Sequence, residues 1–132
     1  MTDLKSQVPD WVRYCNELEN AIFITEGKRD RETLRSLGIK GKILEKGGLS
    51  LDELVDIAIR YSVVIILTDF DREGKYLRRS IVKEIQRRKR RIQIDTYARQ
   101  FLYRLCRAHG ITEIEDLDRF VPFTQKLFEK EN

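Results

Sequence analysis

The chain has 132 residues, a net charge of +4, 41% hydrophobic residues and 36% charged residues. The hydrophobic share excludes a disordered chain, and the length accommodates one hydrophobic core but not a second full domain. No apolar run approaches the roughly 18 residues that a membrane-spanning helix needs, and the N-terminus lacks the apolar stretch of a signal peptide, so we expect a cytoplasmic protein that does not bind membranes.

The spacing of apolar residues predicts helices that alternate with strands. In chain order the predicted elements are a helix at 4–20, a strand at 21–25, a helix at 29–37, a strand at 42–45, a helix after the capping box at 50–53, a strand at 62–68, a helix at 72–88, a strand at 91–95, a helix at 97–106, and a last helical segment from 112 that Pro122 interrupts or ends. In helix 72–88 the residues expected to face inward are Tyr76, Leu77, Ile81 and Ile85.

This alternation favours an α/β fold built from right-handed βαβ units. The run from Val63 to Leu67 is apolar on both faces, which is typical of a strand buried in a parallel sheet. Such sheets carry their sites beyond the carboxyl ends of the strands. The loops that follow Thr25 and Thr68 are therefore the first candidates for a functional site.

Both loops place carboxylates directly after an apolar strand. Glu26 follows the first strand, and Asp69 and Asp71 follow the third. Three clustered carboxylates repel one another, and Mg²⁺, which prefers hard oxygen ligands, would relieve that repulsion. Alternatives remain for each residue: Asp71 as the N-cap of the next helix, Asp69 paired with an arginine, and Glu26 as an ordinary loop acid.

Positive charge is concentrated in one segment of the chain. Between Arg72 and Arg107 lie 13 basic and three acidic residues, a net charge of +10, against −6 for the rest of a chain whose total is +4. This asymmetry indicates a polyanionic partner. A solvated helix face, or arginines that pair with acids elsewhere in the chain, is the alternative. The two cysteines, Cys15 and Cys106, are expected to be buried and reduced, and Trp11 is expected to anchor the N-terminal helix in the core.

Two motifs carry a resemblance to a known family. Glu26-Gly27-Lys28 follows the first strand, and Asp69-Phe70-Asp71-Arg72-Glu73-Gly74 follows the third. In this order and at these strand ends, the motifs resemble the Toprim domain. That domain is shared by type IA topoisomerases, bacterial-type primases, OLD-family nucleases and small nucleases that mature ribosomal RNA. The resemblance covers roughly residues 21–95.

The resemblance implies a fold and a set of roles. The fold is the Toprim fold, a compact Rossmann-like α/β fold with a four-stranded, mainly parallel sheet of order 2-1-3-4 and helices on both faces. A single domain would fill 1–132, with an N-terminal helix at 1–20, the Toprim core at 21–95 and a helical C-terminal extension at 96–132. In the family, the position of Glu26 is a general acid/base or an added metal ligand, and the positions of Asp69 and Asp71 are Mg²⁺ ligands. We therefore expect these three residues to be catalytic.

Differences between this sequence and the larger Toprim proteins narrow the kinds of Toprim protein that it resembles. Topoisomerases of this type often have a further Glu where this chain has Lys75, and they need a nucleophilic tyrosine in a separate large domain. Primases need further domains, usually with a zinc site, and OLD nucleases carry an ATPase whose phosphate-binding loop is absent from this sequence. What remains is a stand-alone Toprim protein with helical extensions.

The expected function is a Mg²⁺-dependent nuclease, or a related phosphoryl-transfer protein, that acts on structured RNA or DNA, with Mn²⁺ as a substitute metal. The alternatives are a non-catalytic module that binds nucleic acid or a ribonucleoprotein, and a subunit that is active only with a partner. The residues expected to bind phosphate or nucleic acid are Lys28, Arg72, Arg87, Arg88 and Arg90. An internal salt bridge with the acids is the alternative for Lys28 and Arg72. Gly27 and Gly74 are expected to permit close backbone approach.

Overall fold

The structure is a computed structural model, and it describes residues 3–88 and 91–124. The elements of these residues, in chain order, are η1 (Leu4–Gln7, a 3₁₀ helix), α1 (Val8–Glu17), β1 (Ala21–Thr25), α2 (Lys28–Leu37), β2 (Lys42–Glu45), α3 (Leu51–Ala58), β3 (Val63–Ile66), α4 (Arg72–Arg88), β4 (Gln93–Asp95), α5 (Tyr97–Ala108) and η2 (Ile114–Phe120, a 3₁₀ helix).

The strands of the described chain form one four-stranded sheet in the order β2-β1-β3-β4. All three strand pairings are parallel. In the central pairing Ile24 lies opposite Ile66, so β1 and β3 end side by side. The predicted α/β class, strand order and helix-covered sheet are therefore confirmed. The structure also brings the two acidic loops to the same edge of the sheet.

Alternate residues of the central strands supply the two halves of the core, because successive strand side chains point to opposite faces. Ile22 and Ile24 pack with buried residues of α3 and α4 on one face. Phe23 and Ile65 pack on the other face with buried residues of α1, α2, α5 and η2. Both faces of the sheet are thus covered, which explains the uninterrupted apolar run of β3.

The terminal helices belong to this core. Trp11 of α1 is 2% exposed, stacks on Phe101 of α5 with ring centroids 6.2 Å apart, and donates from its Nε1 to the Ala98 carbonyl oxygen at 3.0 Å. Cys15 and Cys106 are buried free thiols in the same face of the core, as predicted. Burial raises the pKa of both thiols, that of Cys106 to about 12.

The structure corrects two expectations about side chains and segments. Tyr76 was expected to face inward, but it is 66% exposed. Leu77, Ile81 and Ile85 are spaced four residues apart and form the packed stripe of α4, whereas Tyr76 lies about 100° around the helix from Leu77.

Pro122 neither interrupts nor ends the last helical segment, since residues 121–124 are helical and Pro122 occupies the first turn, where proline is tolerated.

Element ends also differ by a few residues. The predicted N-terminal helix at 4–20 is a 3₁₀ turn followed by α1, which ends at Glu17, and the predicted strands at 62–68 and 91–95 shorten to Val63–Ile66 and Gln93–Asp95. Within the described chain, no helix combines the length and the apolar character that crossing a bilayer requires.

Replacing Trp11 by alanine should lower the free energy of unfolding by about 3–5 kcal/mol, the usual range for removing a buried large aromatic side chain. Trp11→Phe retains a ring against Phe101 but loses the hydrogen bond to Ala98, so it should cost less. Urea unfolding followed by circular dichroism measures both. Equal unfolding midpoints for Trp11→Ala and the wild type would show that α1 is not part of the core.

Candidate functional site

A hydrogen bond joins the loops that follow β1 and β3. The Asp69 backbone N–H donates to Glu26 Oε2 at 2.7 Å, although the two residues lie 43 positions apart in the chain. The bond forms because β1 and β3 are neighbouring parallel strands that end together. Glu26 is consequently held against the β3–α4 loop by a backbone group.

Asp69 and Asp71 are each anchored by a backbone N–H as well. Asp69 Oδ1 accepts from Ile114 N at 2.8 Å, and Asp71 Oδ1 accepts from Gly74 N at 2.7 Å. Asp71 therefore does cap the helix that begins at Arg72, which was the structural alternative for this residue. A cap uses only one carboxylate oxygen, so the contact orients Asp71 without consuming its capacity to bind a ligand.

The loop after β3 folds back tightly at Gly74. A Cβ on Gly74 would lie 2.1 Å from the Asp69 carbonyl oxygen, and Thr68 Oγ1 donates to the Gly74 carbonyl oxygen at 2.7 Å. A side chain at this position would displace Asp69, so glycine lets the backbone at 74 approach that of Asp69 closely. At Gly27 nothing in the described chain lies within 4 Å of an added Cβ, and the approach of a ligand there stays a prediction.

The carboxylates act on one another electrostatically. Burial, together with a hydrogen bond and charge repulsion from Glu26 and the charge of Asp71, raises the pKa of Asp69 to about 7, although its bond from Ile114 opposes the rise. A fourth acid, Asp30, is 7% exposed and accepts from Gly27 N at 3.1 Å. Burial and the charge of Asp69 raise the pKa of Asp30 to about 6. These carboxyl groups therefore lie close enough to oppose one another's ionisation.

The C-terminal segment closes over this cluster. Phe70 N donates to the Thr112 carbonyl oxygen at 2.7 Å, and η2 packs against α2. The segment brings Glu113 and Glu115 to the site. A hydrogen bond from Glu115 and the charge of Asp69 raise the pKa of Glu113, and Glu115 contributes to the raised pKa of Asp30.

A buried arginine supports the same loop from the other side. Arg99 of α5 is 8% exposed and donates to the carbonyl oxygens of Ile66 and Thr68 at 3.1 and 2.8 Å. A longer bond of 3.3 Å reaches the Asp69 carbonyl oxygen, and the guanidinium lies 4.6 Å from the ring centroid of Phe70. Burial, followed by the nearby charge of Arg78, lowers the pKa of Arg99 to about 10.

Sequence reasoning missed Asp30, Glu113, Glu115 and Arg99. Asp30 carried a signal, since an Asp three residues after Gly27 is in the position of a helix-capping acid. The other three come from segments far along the chain, and only the tertiary packing of α5 and η2 brings them to the β3 loop.

The predicted basic residues have different partners. Lys28 Nζ lies 3.9 Å from Glu32, and Arg72 makes no ion pair with the described part of the chain, so neither neutralises the cluster internally. Arg88 pairs with Asp52, Asp56 and Glu84, and Arg87 also pairs with Glu84. These pairs favour the alternative of internal ion pairing for Arg87 and Arg88. Arg90 lies outside the described residues.

The donor chemistry of the cluster fits a hard divalent cation. As the side chains stand, no group of three His, Cys, Asp or Glu residues within 3–88 and 91–124 has the geometry of a metal cage. Mg²⁺ keeps several waters and needs only one or two protein carboxylates, and a bound cation would relieve the repulsion among these acids.

Comparison with known proteins gives a family and a fold. The Toprim domain family matches residues 21–99. The UPF0292 protein of Thermococcus onnurineus is 41% identical over 101 residues, 76% of this chain and 73% of that protein. The UPF0292 protein of Methanocaldococcus jannaschii is 36% identical over 114 residues, 85% of each chain. A solved structure of an Aquifex aeolicus protein aligns with a TM-score of 0.68, covering 81% of this chain and 94% of that one, and at 23% identity it bears on the fold alone.

Gly74→Ala should destabilise the protein, because the added methyl meets the backbone of Asp69. Overpacking of this kind typically costs about 1–3 kcal/mol. Gly48→Ala is the matched control, since nothing in the described chain lies within 4 Å of its added Cβ, and it should change stability by about 0.5 kcal/mol or less. Thermal melting of both variants tests this. A melting temperature for Gly74→Ala equal to that of Gly48→Ala would contradict the tight loop.

Proposed function

Because the chain belongs to the Toprim domain family, we propose that it is a Mg²⁺-dependent nuclease, or a related phosphoryl-transfer enzyme, acting on structured RNA or DNA. Toprim domains bind divalent metals in proteins that act on nucleic acids. The observation that carries the proposal is the meeting of Glu26, Asp69 and Asp71 at adjacent strand ends, each with one oxygen held by a backbone N–H. Such anchoring orients acidic side chains before any ligand arrives.

Asp69 and Asp71 are the residues that would hold the metal, with Glu26 beside them. When bound, Mg²⁺ would offset the negative charge of a phosphate and of the reacting oxygen. The anchoring N–H groups keep the two aspartates aimed during binding. Arg99 and Ile114 hold the backbone and side chain of Asp69 in place, so their part is to position this ligand.

Glu26 is the residue proposed to move a proton to or from the reacting oxygen. It is only partly buried, so a substrate can reach it. Its Oε2 is engaged by Asp69 N, which leaves the other oxygen for the proton transfer. Lys28 and Arg72 are both exposed next to the cluster, and we propose that they bind the phosphate that approaches it.

One observation favours a second candidate function, a Toprim module that binds nucleic acid without cutting it. Within the described residues the carboxylates do not stand in the geometry of a metal cage. If they keep that arrangement when nucleic acid binds, the acids would only shape the loop. A cleavage assay with purified protein distinguishes the two functions: an enzyme cuts nucleic acid and stops when EDTA is added, whereas a binding module does not cut.

Removing either aspartate charge should weaken Mg²⁺ binding. Asp69→Asn and Asp71→Asn keep an oxygen for the anchoring N–H groups, so the folds should persist while affinity falls about tenfold or more, equivalent to at least about 1.4 kcal/mol. Asp10→Asn, a change at an exposed acid of α1, is the control. Isothermal calorimetry measures all four proteins. Unchanged Mg²⁺ affinity in both site variants would refute the metal assignment.

Glu26→Gln should bind nucleic acid normally but cut it about 10²–10⁴-fold more slowly, the usual size of a general acid/base contribution. Glutamine retains an acceptor for Asp69 N, so the loop should keep its shape. Single-turnover assays on total RNA and on end-labelled RNA and DNA hairpins, at saturating Mg²⁺, give the rate. A variant that cuts at the wild-type rate would return Glu26 to a structural role.

A further inference from the structure

A groove lies between α4 and α5. Among the described residues, every charged side chain that lines this groove is basic. Its volume is about 450 Å³, within the ~300–1,000 Å³ typical of ligand sites. The residues that matter for its chemistry are Lys75, Arg78, Arg79, Arg104, Phe70 and Tyr103. We call it the basic groove. Arg99, which supports the β3 loop, also lines it.

The positive charges of the basic groove are not neutralised internally. Within residues 3–88 and 91–124, no carboxylate forms an ion pair with Lys75, Arg78, Arg79 or Arg104. Arg78 and Arg99 instead lie near enough to repel each other. Arg88, on the same helix, pairs with three carboxylates. Clustered cations without acids attract an anion, because a ligand's charge removes their repulsion.

Two aromatic rings lie among these cations. Phe70 and Tyr103 are 5.6 Å apart between ring centroids and tilted by 59°. Tyr103 is 39% exposed, and Lys75 Nζ lies 5.7 Å from its ring centroid. An aromatic surface bordered by cations matches a nucleotide, whose base stacks on a ring while its phosphate meets the charges.

We propose that the basic groove binds one nucleotide of a single-stranded nucleic acid, with its base against Tyr103 and its phosphates on Arg78, Arg79 and Arg104. A base within a duplex is stacked on its neighbours and cannot present its face to a ring, so the groove selects unpaired strand. The binding site stands whether or not the carboxylate cluster catalyses anything.

The basic groove lies next to the acidic loop. Phe70 lines the groove and separates Asp69 from Asp71 in the chain. Arg99, in the same lining, donates to the Asp69 carbonyl oxygen. A strand held in the groove therefore lies beside the loop that carries the aspartates, and the nucleic-acid contact moves from the end of α4 at Arg87 and Arg88 to its first half.

The test is binding of labelled ten-nucleotide oligo-U and oligo-dT, in EDTA, by fluorescence anisotropy. Tyr103→Ala should weaken binding about 5–150-fold, the usual effect of losing one stacked base, and Tyr103→Phe should restore it. Tyr76→Ala is the matched control, because Tyr76 is an exposed tyrosine of α4 that does not line the groove. Each variant is checked by thermal melting.

Salt dependence tests the charges. Arg78→Gln with Arg79→Gln should flatten the slope of log affinity against log salt by about 0.7 for each phosphate that the protein no longer neutralises. Arg87→Gln, a change at a residue already paired with Glu84, should alter the slope little. Equal affinities of Tyr103→Ala and the wild type, or tighter binding of a blunt-ended duplex than of oligo-U, would overturn the proposal.

The same assay is repeated with a free nucleotide, adenosine monophosphate. If adenosine monophosphate binds through Tyr103 and neither oligonucleotide binds, the groove is a site for a free nucleotide and the proposal of a single-strand site is overturned. Because EDTA removes metal, binding without any later cleavage would sustain this inference while the proposed nuclease activity failed.

Discussion

The hydrogen bond from Asp69 N to Glu26 ties together the two loops on which the site depends. It exists because β1 and β3 are adjacent, parallel and in a register that ends both at one edge of the sheet. One oxygen of each of the three carboxylates accepts a backbone N–H, which fixes the orientation of the side chain. The arrangement holds like charges close together, and the apolar packing on both faces of the sheet offsets the repulsion.

The site also depends on segments outside the strands that define it. Ile114 N holds Asp69 from the C-terminal side, and Arg99 holds the carbonyl oxygens at the end of β3. Both come from elements that pack on the same face of the sheet as α1. α5 and η2 therefore stabilise the acidic loop as well as the core, and the aspartates gain their orientation from residues of α4, α5 and η2.

Sequence patterns predicted the parts of this structure that local chemistry decides. The apolar runs located β1 and β3, and the carboxylates directly after them met as the parallel sheet requires. Glu113 and Arg99 were missed because their roles come from contacts across the fold, whereas Asp30 has the local position of a helix-capping acid. Tyr76 was misplaced because an exposed tyrosine next to Leu77 looks like part of the apolar stripe. The segment from Arg72 to Arg107 was recognised as basic, but composition cannot tell Arg88, which pairs with acids, from Arg78, which faces a groove.

The proposed chemistry requires a divalent cation to bind where the three carboxylates meet. The most direct measurement is the anomalous diffraction of Mn²⁺ soaked into crystals of the wild-type protein. We expect a peak within coordinating distance of Asp69 and Asp71, with Glu26 beside it. Unchanged side chains with no peak between them, at Mn²⁺ concentrations that saturate ordinary magnesium sites, would contradict the metal site.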